Sequence, residues 1–488
     1  MYEKNGQGKK ACYYLQKFFY FCSQTNQLLI SEVKKITVIT ILLALSSGLV
    51  SLSAQDKEMK TGWSFGVLPC ATYSVDNGLQ YGAFGDVYYY GDGATYPDPL
   101  HKISWEASHF TKGKTRLYLG YDSKYVIPGM RVNASVTYVD DPMYNFWGFN
   151  GTQALQNYDL WTNKGITEGK PVFDKAINYY GMSRKMFRVL ANVQGRITDH
   201  LNWAAGVNFW NWKMGDMRES QKNKDTGKGL YDTNVTLYKR YQEIGAITAE
   251  EAAGGNTLEL NAGLVFDTRD MEAAPNKGIW AEAYLNGNVI NQRYLKACVY
   301  FRNYIDIPIH IPAGDPAFAY RLAWQQTLVG ETPFYMIQNV PLLVQRNMIS
   351  EGFGSSNTIR GIRENRILTE GFAWANAELR VKLVSFKLLN QFFYIAVNPF
   401  FDAGIVTKDY RPGVFAMAGN SVDPKLRELG VNPTIYDATK KGDVVYSGGA
   451  GLKIAMNQNF IVSVELAKCF YQPLDAGMWI GIGINYQF

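Results

Sequence analysis

Residues 478–488 read MWIGIGINYQF. In an extended chain successive side chains point to opposite sides, so Met478, Ile480, Ile482, Ile484, Tyr486 and Phe488 share one face. Trp479, Gly481, Gly483, Asn485 and Gln487 share the other. The period recurs upstream. In 257–267, Leu258, Leu260, Ala262, Leu264 and Phe266 alternate with Glu259, Asn261, Gly263, Val265 and Asp267. In 373–383, Ala375, Ala377, Leu379, Val381 and Leu383 alternate with Asn376, Glu378, Arg380 and Lys382. In 131–138, Val132, Ala134, Val136 and Tyr138 alternate with Arg131, Asn133, Ser135 and Thr137. A water-soluble sandwich alternates too, with its apolar face inward. A sheet in lipid must be closed, because lipid offers an edge strand no hydrogen-bond partner. Closure predicts an even number of strands of about 10 residues or more, with short turns on one rim and long loops on the other.

Sixteen segments meet that description: 63–73, 79–91, 101–111, 114–125, 130–140, 178–197, 200–214, 257–268, 278–290, 294–307, 316–328, 373–387, 392–406, 443–456, 459–470 and 478–488. The long connections, 141–177, 215–256, 329–372 and 407–442, follow predicted strands 5, 7, 11 and 13. All are odd, so in an up-and-down barrel all four loops emerge on one rim. With both termini periplasmic, that rim is the exterior. The fold class expected is all-β, a 16-stranded antiparallel transmembrane β-barrel. By the same parity Glu378 and Asp402 both point into the lumen from neighbouring strands.

Composition agrees. Of 488 residues 14% are aromatic, with 33 tyrosines, and 19% are charged, which fits a β-protein with aromatic girdles and excludes a disordered chain. Residues 34–54, KKITVITILLALSSGLVSLSA, have the charged, apolar and small-residue regions of a secretory signal, in a run shorter than the roughly 20 residues that span a bilayer. The expected division is an N-terminal extension and cleavable signal peptide at 1–54 and a barrel at 55–488, with Val33 expected to mark the true start. The first 54 residues hold six lysines and two acids, so the net charge of +6 falls close to neutral without them, and nothing points to nucleic acid.

Local features add expectations. Cys70, Cys298 and Cys469 are odd in number and far apart, so no disulfide framework is expected. No cofactor or metal motif occurs. No GxSxG elbow occurs, Ser108 and His109 point to opposite faces, and His101, His200 and His310 lie near strand ends without a recognisable partner, so no enzyme is expected. Pro399 inside a strand predicts a bulge. The run LYKRYQEIGAITAEEAA at 237–253 reads as a short helix with a solvated charged face. The first strand contains Gly66 and Pro69, follows Gly62 and alternates poorly, compatible with a weak seam against the last.

Four stretches resemble one family. SSNTIRGIR at 355–363 resembles the (V/I)RG(F/Y) motif of the BamA/TamA superfamily of outer-membrane assembly factors, also called bacterial surface antigens. FFDAG at 400–404 resembles its FxDxG strand, FDTRDMEAAPNKG at 266–278 its DTRDN…P..G turn, and FWGFNG at 146–151 its FYGIGN loop. The motif's last aromatic is Ile362 here, and the family's periplasmic POTRA domains have no counterpart in 55–62, so the chain resembles a barrel-only branch.

The resemblance implies that the long loop after strand 11 folds into the lumen, where Arg360 would contact Asp402 and Glu378 while Gly361 lets the backbone turn. Asp267, Arg269 and Asp270 would form the turn motif. Ile484, Tyr486 and Phe488 resemble the C-terminal signal read by the barrel assembly machinery during biogenesis. The further partners implied are outer-membrane lipid and a separate periplasmic partner or client polypeptide. The location implied is the Gram-negative outer membrane. The function implied is assistance to protein or lipid insertion or translocation. The alternatives are a passive pore or surface-binding barrel plugged by its loop, and an outer-membrane hydrolase.

Overall fold

The computed structural model describes residues 60–484, apart from 97, 157–177, 219–233, 272–273, 344–346, 350, 389–390, 419–434, 457–459 and 475–476. The expected signal peptide, Tyr486 and Phe488 lie outside the described residues. Strands run in chain order: β1 Trp63–Ser74, β2 Gly78–Tyr89, β3 His101–Phe110, β4 Thr115–Ile127, β5 Met130–Asn145, β6 Gly181–Arg196, β7 Leu201–Gly215, β8 Gly254–Asp267 and β9 Gly278–Asn288. They continue with β10 Tyr294–Asp306, β11 Ala317–Gly330, the short hairpin β12 Val340–Leu343 and β13 Asn347–Ile349, then β14 Gly371–Leu388, β15 Gln391–Lys408, β16 Val444–Met456, β17 Phe460–Cys469 and β18 Met478–Ile484. All but the hairpin form one closed antiparallel barrel of sixteen strands, each beside its neighbour in sequence. Among the described residues no helix is long and apolar enough to cross a membrane.

The alternation read from the sequence separates two environments. On β8, Leu260 is 49% exposed and Leu264 48%, whereas Glu259, next to Leu260, is 2% exposed. The outer wall therefore presents leucine, valine and phenylalanine, and arginines, asparagines and carboxylates are buried within. That is inverted for a soluble protein and suited to hydrocarbon. β1 alternates better than its sequence indicated: Trp63, Phe65 and Val67 are exposed while Ser64, Gly66 and Leu68 are more covered. Leu68 takes an inner position, which hid the pattern. The bulge expected at Pro399 is absent. Pro399 pairs with Ala450, and the shift in that part of the β14–β15 ladder falls instead between Lys382 and Val384. The missing N–H of proline removes a ladder bond without inserting a residue.

The long connections 146–180, 216–253, 331–370 and 409–443 leave one rim, and their described residues share a hydrophobic core. Phe146, Trp147 and Phe149, Leu237 and Tyr241, Phe334 and Leu368, and Tyr410, Phe415 and Tyr436 pack together and against Met186, Trp210 and Trp212 of β6 and β7. The Asn150 amide donates to the Leu368 carbonyl at 2.8 Å, and the Asn150 side chain to the Tyr410 carbonyl at 2.9 Å. The single helix expected in 237–253 is two short ones, Leu237–Glu243 and Ala249–Ala252, interrupted at the left-handed Gly245. Its charges are not all solvated. Glu251 is buried against Arg411 and accepts from the Phe334 amide at 2.8 Å.

Candidate functional site

The segment 351–370 meets the buried face of the barrel at Arg360. Asp402 of β15 accepts from the Arg360 amide at 3.0 Å, from Nε at 2.9 Å and from Nη2 at 2.9 Å. Nη1 donates to Glu378 of β14 at 3.1 Å and to Glu465 of β17 at 3.4 Å. The guanidinium lies 3.5 Å from the centre of the Phe400 ring. Arg360 is 3% exposed and Asp402 0%. Glu378 also receives Arg380 Nε at 2.7 Å and Asn398 Nδ2 at 3.1 Å, with Lys453 Nζ at 3.7 Å. Three carboxylates thus face three cations, the balance that burial of charge requires.

Each motif position has a physical role here. Phe400, Asp402 and Gly404 share the inward face because they are two apart. Phe400 underlies the guanidinium and Asp402 grips it. A Cβ on Gly404 would come within 2.5 Å of the Phe372 ring and 2.6 Å of Ile359, so only glycine admits the loop. Gly361 has φ +86°, and a Cβ there would lie 3.1 Å from the Lys468 backbone of β17. Ile362, in place of the expected aromatic, is fully buried with Ile359, Phe353 and Phe372.

The turn after β8 is also ordered by charge. Arg269 donates to Asp267 at 2.9 and 2.7 Å and stacks 3.9 Å from the centre of the Trp280 ring. Arg302 lies 4.1 Å from the same ring centre. Asp270 accepts from the amides of Met271 and Asn276 at 3.0 and 3.1 Å. The Pro275 carbonyl accepts from Arg380 at 2.9 Å, which joins this turn to the Glu378 cluster.

A polar cavity of about 580 Å³ lies beside Arg360, with Glu465 and Trp479 on one side and Glu106, Lys114 and Arg116 on another. Its wall includes the seam. Among the described residues β1 and β18 pair at two positions, Tyr73 with Ile482 and Ser74 with Gly481. The β17–β18 ladder has seven. Among the described residues Cys70, Cys298 and Cys469 are not joined in disulfides, and Cys469 Sγ lies 3.6 Å from the Tyr471 carbonyl. Against expectation, two of the three strand-end histidines have partners: His101 Nδ1 lies 2.7 Å from the Tyr121 hydroxyl, and His310 Nδ1 3.3 Å from Asp315.

Sequence reasoning missed Glu465, Phe400 as a platform, Arg380 and Lys453. Parity places Glu465 inward on β17, but nothing in the sequence says which inward acids lie at the height of Arg360.

The fold and buried cluster define a closed sixteen-stranded barrel whose long loop bonds to its inner side chains. A structural match is BamA from Haemophilus ducreyi lacking POTRA domains 1–3, with a TM-score of 0.51, 13% identity, and coverage of 87% of this chain and 70% of that one. CdiB from Escherichia coli matches with a TM-score of 0.48 and 8% identity over 89% of this chain, which spans 64% of its length. The fold is shared with the BamA barrel. No protein-family model matches the chain, and no curated protein matches its sequence.

Proposed function

We propose that this chain is an outer-membrane barrel that assists insertion or translocation of polypeptide or lipid, working at the seam between β1 and β18. The observation that carries this reading is the seam itself, with two described pairs where neighbouring ladders run to seven or more. In this reading the interface opens at small cost, and an opened edge is a template for another strand. In this reading 351–370 is folded into the lumen and latched by Arg360, the termini face the periplasm, and the long-loop rim faces the exterior. The chain acts without catalysis, on client polypeptide delivered by a separate periplasmic partner. The joint aromatic core of the four long loops opposes the pore reading, since it packs the mouth that ions would cross.

The test is reconstitution in liposomes. The barrel should accelerate insertion of an unfolded client barrel protein while passing little ion current. Steady conductance with no acceleration would replace this function with that of a plugged pore.

A further inference from the structure

Three residues beyond Arg360 the loop makes a second set of contacts, on the other side of the seam. The Glu364 amide donates to Asp76 at 3.1 Å, and Arg363 Nη1 donates to the other oxygen of Asp76 at 3.4 Å. Asn77 Nδ2 donates to Glu364 at 2.5 Å, and Lys114 Nζ lies 3.5 Å from the same carboxylate. Asp76 and Asn77 lie in the turn between β1 and β2, one residue beyond Tyr73 and Ser74, the residues that pair across the seam. In the ring, β18 stands between β17 and β1. Arg360 bonds to Glu465 of β17 and Gly361 abuts Lys468 of β17.

We propose that residues 360–364 are a strap across the seam, fastening β17 to the β1–β2 turn past the intervening β18. Neither anchor is on β18, so the strap limits how far β1 and β18 can separate whether or not their own ladder is formed. Releasing Asp76 and Asn77 from Glu364 frees the β1 side while Arg360 keeps its hold on β14, β15 and β17. The strap rests on the reading of the seam as the working part of the barrel, and it makes the loop the regulator of that part.

Amide hydrogen exchange on the full barrel in lipid tests this without any client. Glu364→Gln keeps the side-chain shape and removes its charge, and Asp76→Ala removes the opposite anchor. Either should raise exchange in peptides covering β1 and β18 by on the order of tenfold, the size expected for loss of one charged hydrogen bond. Peptides covering β8 and β9, across the barrel, should be unchanged. If Asp76→Ala does not fold, Glu364→Gln alone decides. Unchanged seam exchange, or equal acceleration in every strand, overturns the strap. A strap that holds in a barrel that inserts nothing would leave this inference standing and remove the proposed function.

Discussion

Asp402 takes three hydrogen bonds from a single residue, Arg360: one from its backbone amide and two from its guanidinium. The amide bond fixes where the loop backbone sits, and the fork fixes the side chain. Removing either partner strands the other among buried charges, at a cost of roughly 3–5 kcal/mol when fully buried and less where water reaches. Arg360→Ala and Asp402→Asn should each lower the heat-unfolding midpoint of the barrel in detergent. The double variant should fall short of the sum, because neither partner is then stranded. A lysine at 360 should rescue in part, lacking the planar fork. Strict additivity, or silence of both single variants, would show that the loop is not latched there.

Gly404 tests the fit of the loop independently of charge. An added methyl would meet Phe372 and Ile359 well inside contact distance, whereas one on Gly413 would meet open space. Gly404→Ala should destabilise by roughly 1–3 kcal/mol, the usual range for overpacking. Gly413→Ala is the control, and equal midpoints for the two variants would contradict the packing.

Phe149 tests the loop core at the mouth. It is fully buried, 4.4 Å from Tyr410 and 5.3 Å from Tyr241 between ring centres. Phe149→Ala should cost about 3–5 kcal/mol. It should also raise single-channel conductance in planar bilayers. A destabilised variant with unchanged conductance would mean that this core is not what closes the mouth.

Asp76 gives a pH signature. Burial raises its carboxyl above the ordinary range, and the charge of Glu364 adds to that, against Arg363 and Lys112. A value raised on folding gives stability that is complete below the unfolded value and is lost as pH rises through the folded one. Asp76→Asn cannot ionise. The native barrel should therefore lose thermal midpoint relative to Asp76→Asn as the pH rises through that window. A difference independent of pH would contradict it.

The strands were legible because alternation is local: Leu258 to Asp267 state their faces within ten residues of sequence. Arg360, Glu378 and Asp402 were reachable through a resemblance joined to parity. Other features depend on neighbours distant in the chain. Glu251 looks like a surface acid beside its own helix, and only the fold brings Arg411 to it. Asp76 looks like an ordinary turn residue, and only closure of the ring puts it under Glu364. Proline predicts a lost donor, and whether a bulge follows is decided by the partner strand, as at Pro399.

The central claim is that the seam works by opening, and Tyr73 and Ile482, paired across it, allow it to be locked. Tyr73→Cys with Ile482→Cys can be oxidised to a disulfide in liposomes, with the linkage verified by mass spectrometry. The measurement is the insertion rate of an unfolded client barrel protein before and after reduction. The oxidised barrel should give no acceleration over empty liposomes, and the reduced one should recover it. Equal acceleration from both forms would show that the seam does not work by opening.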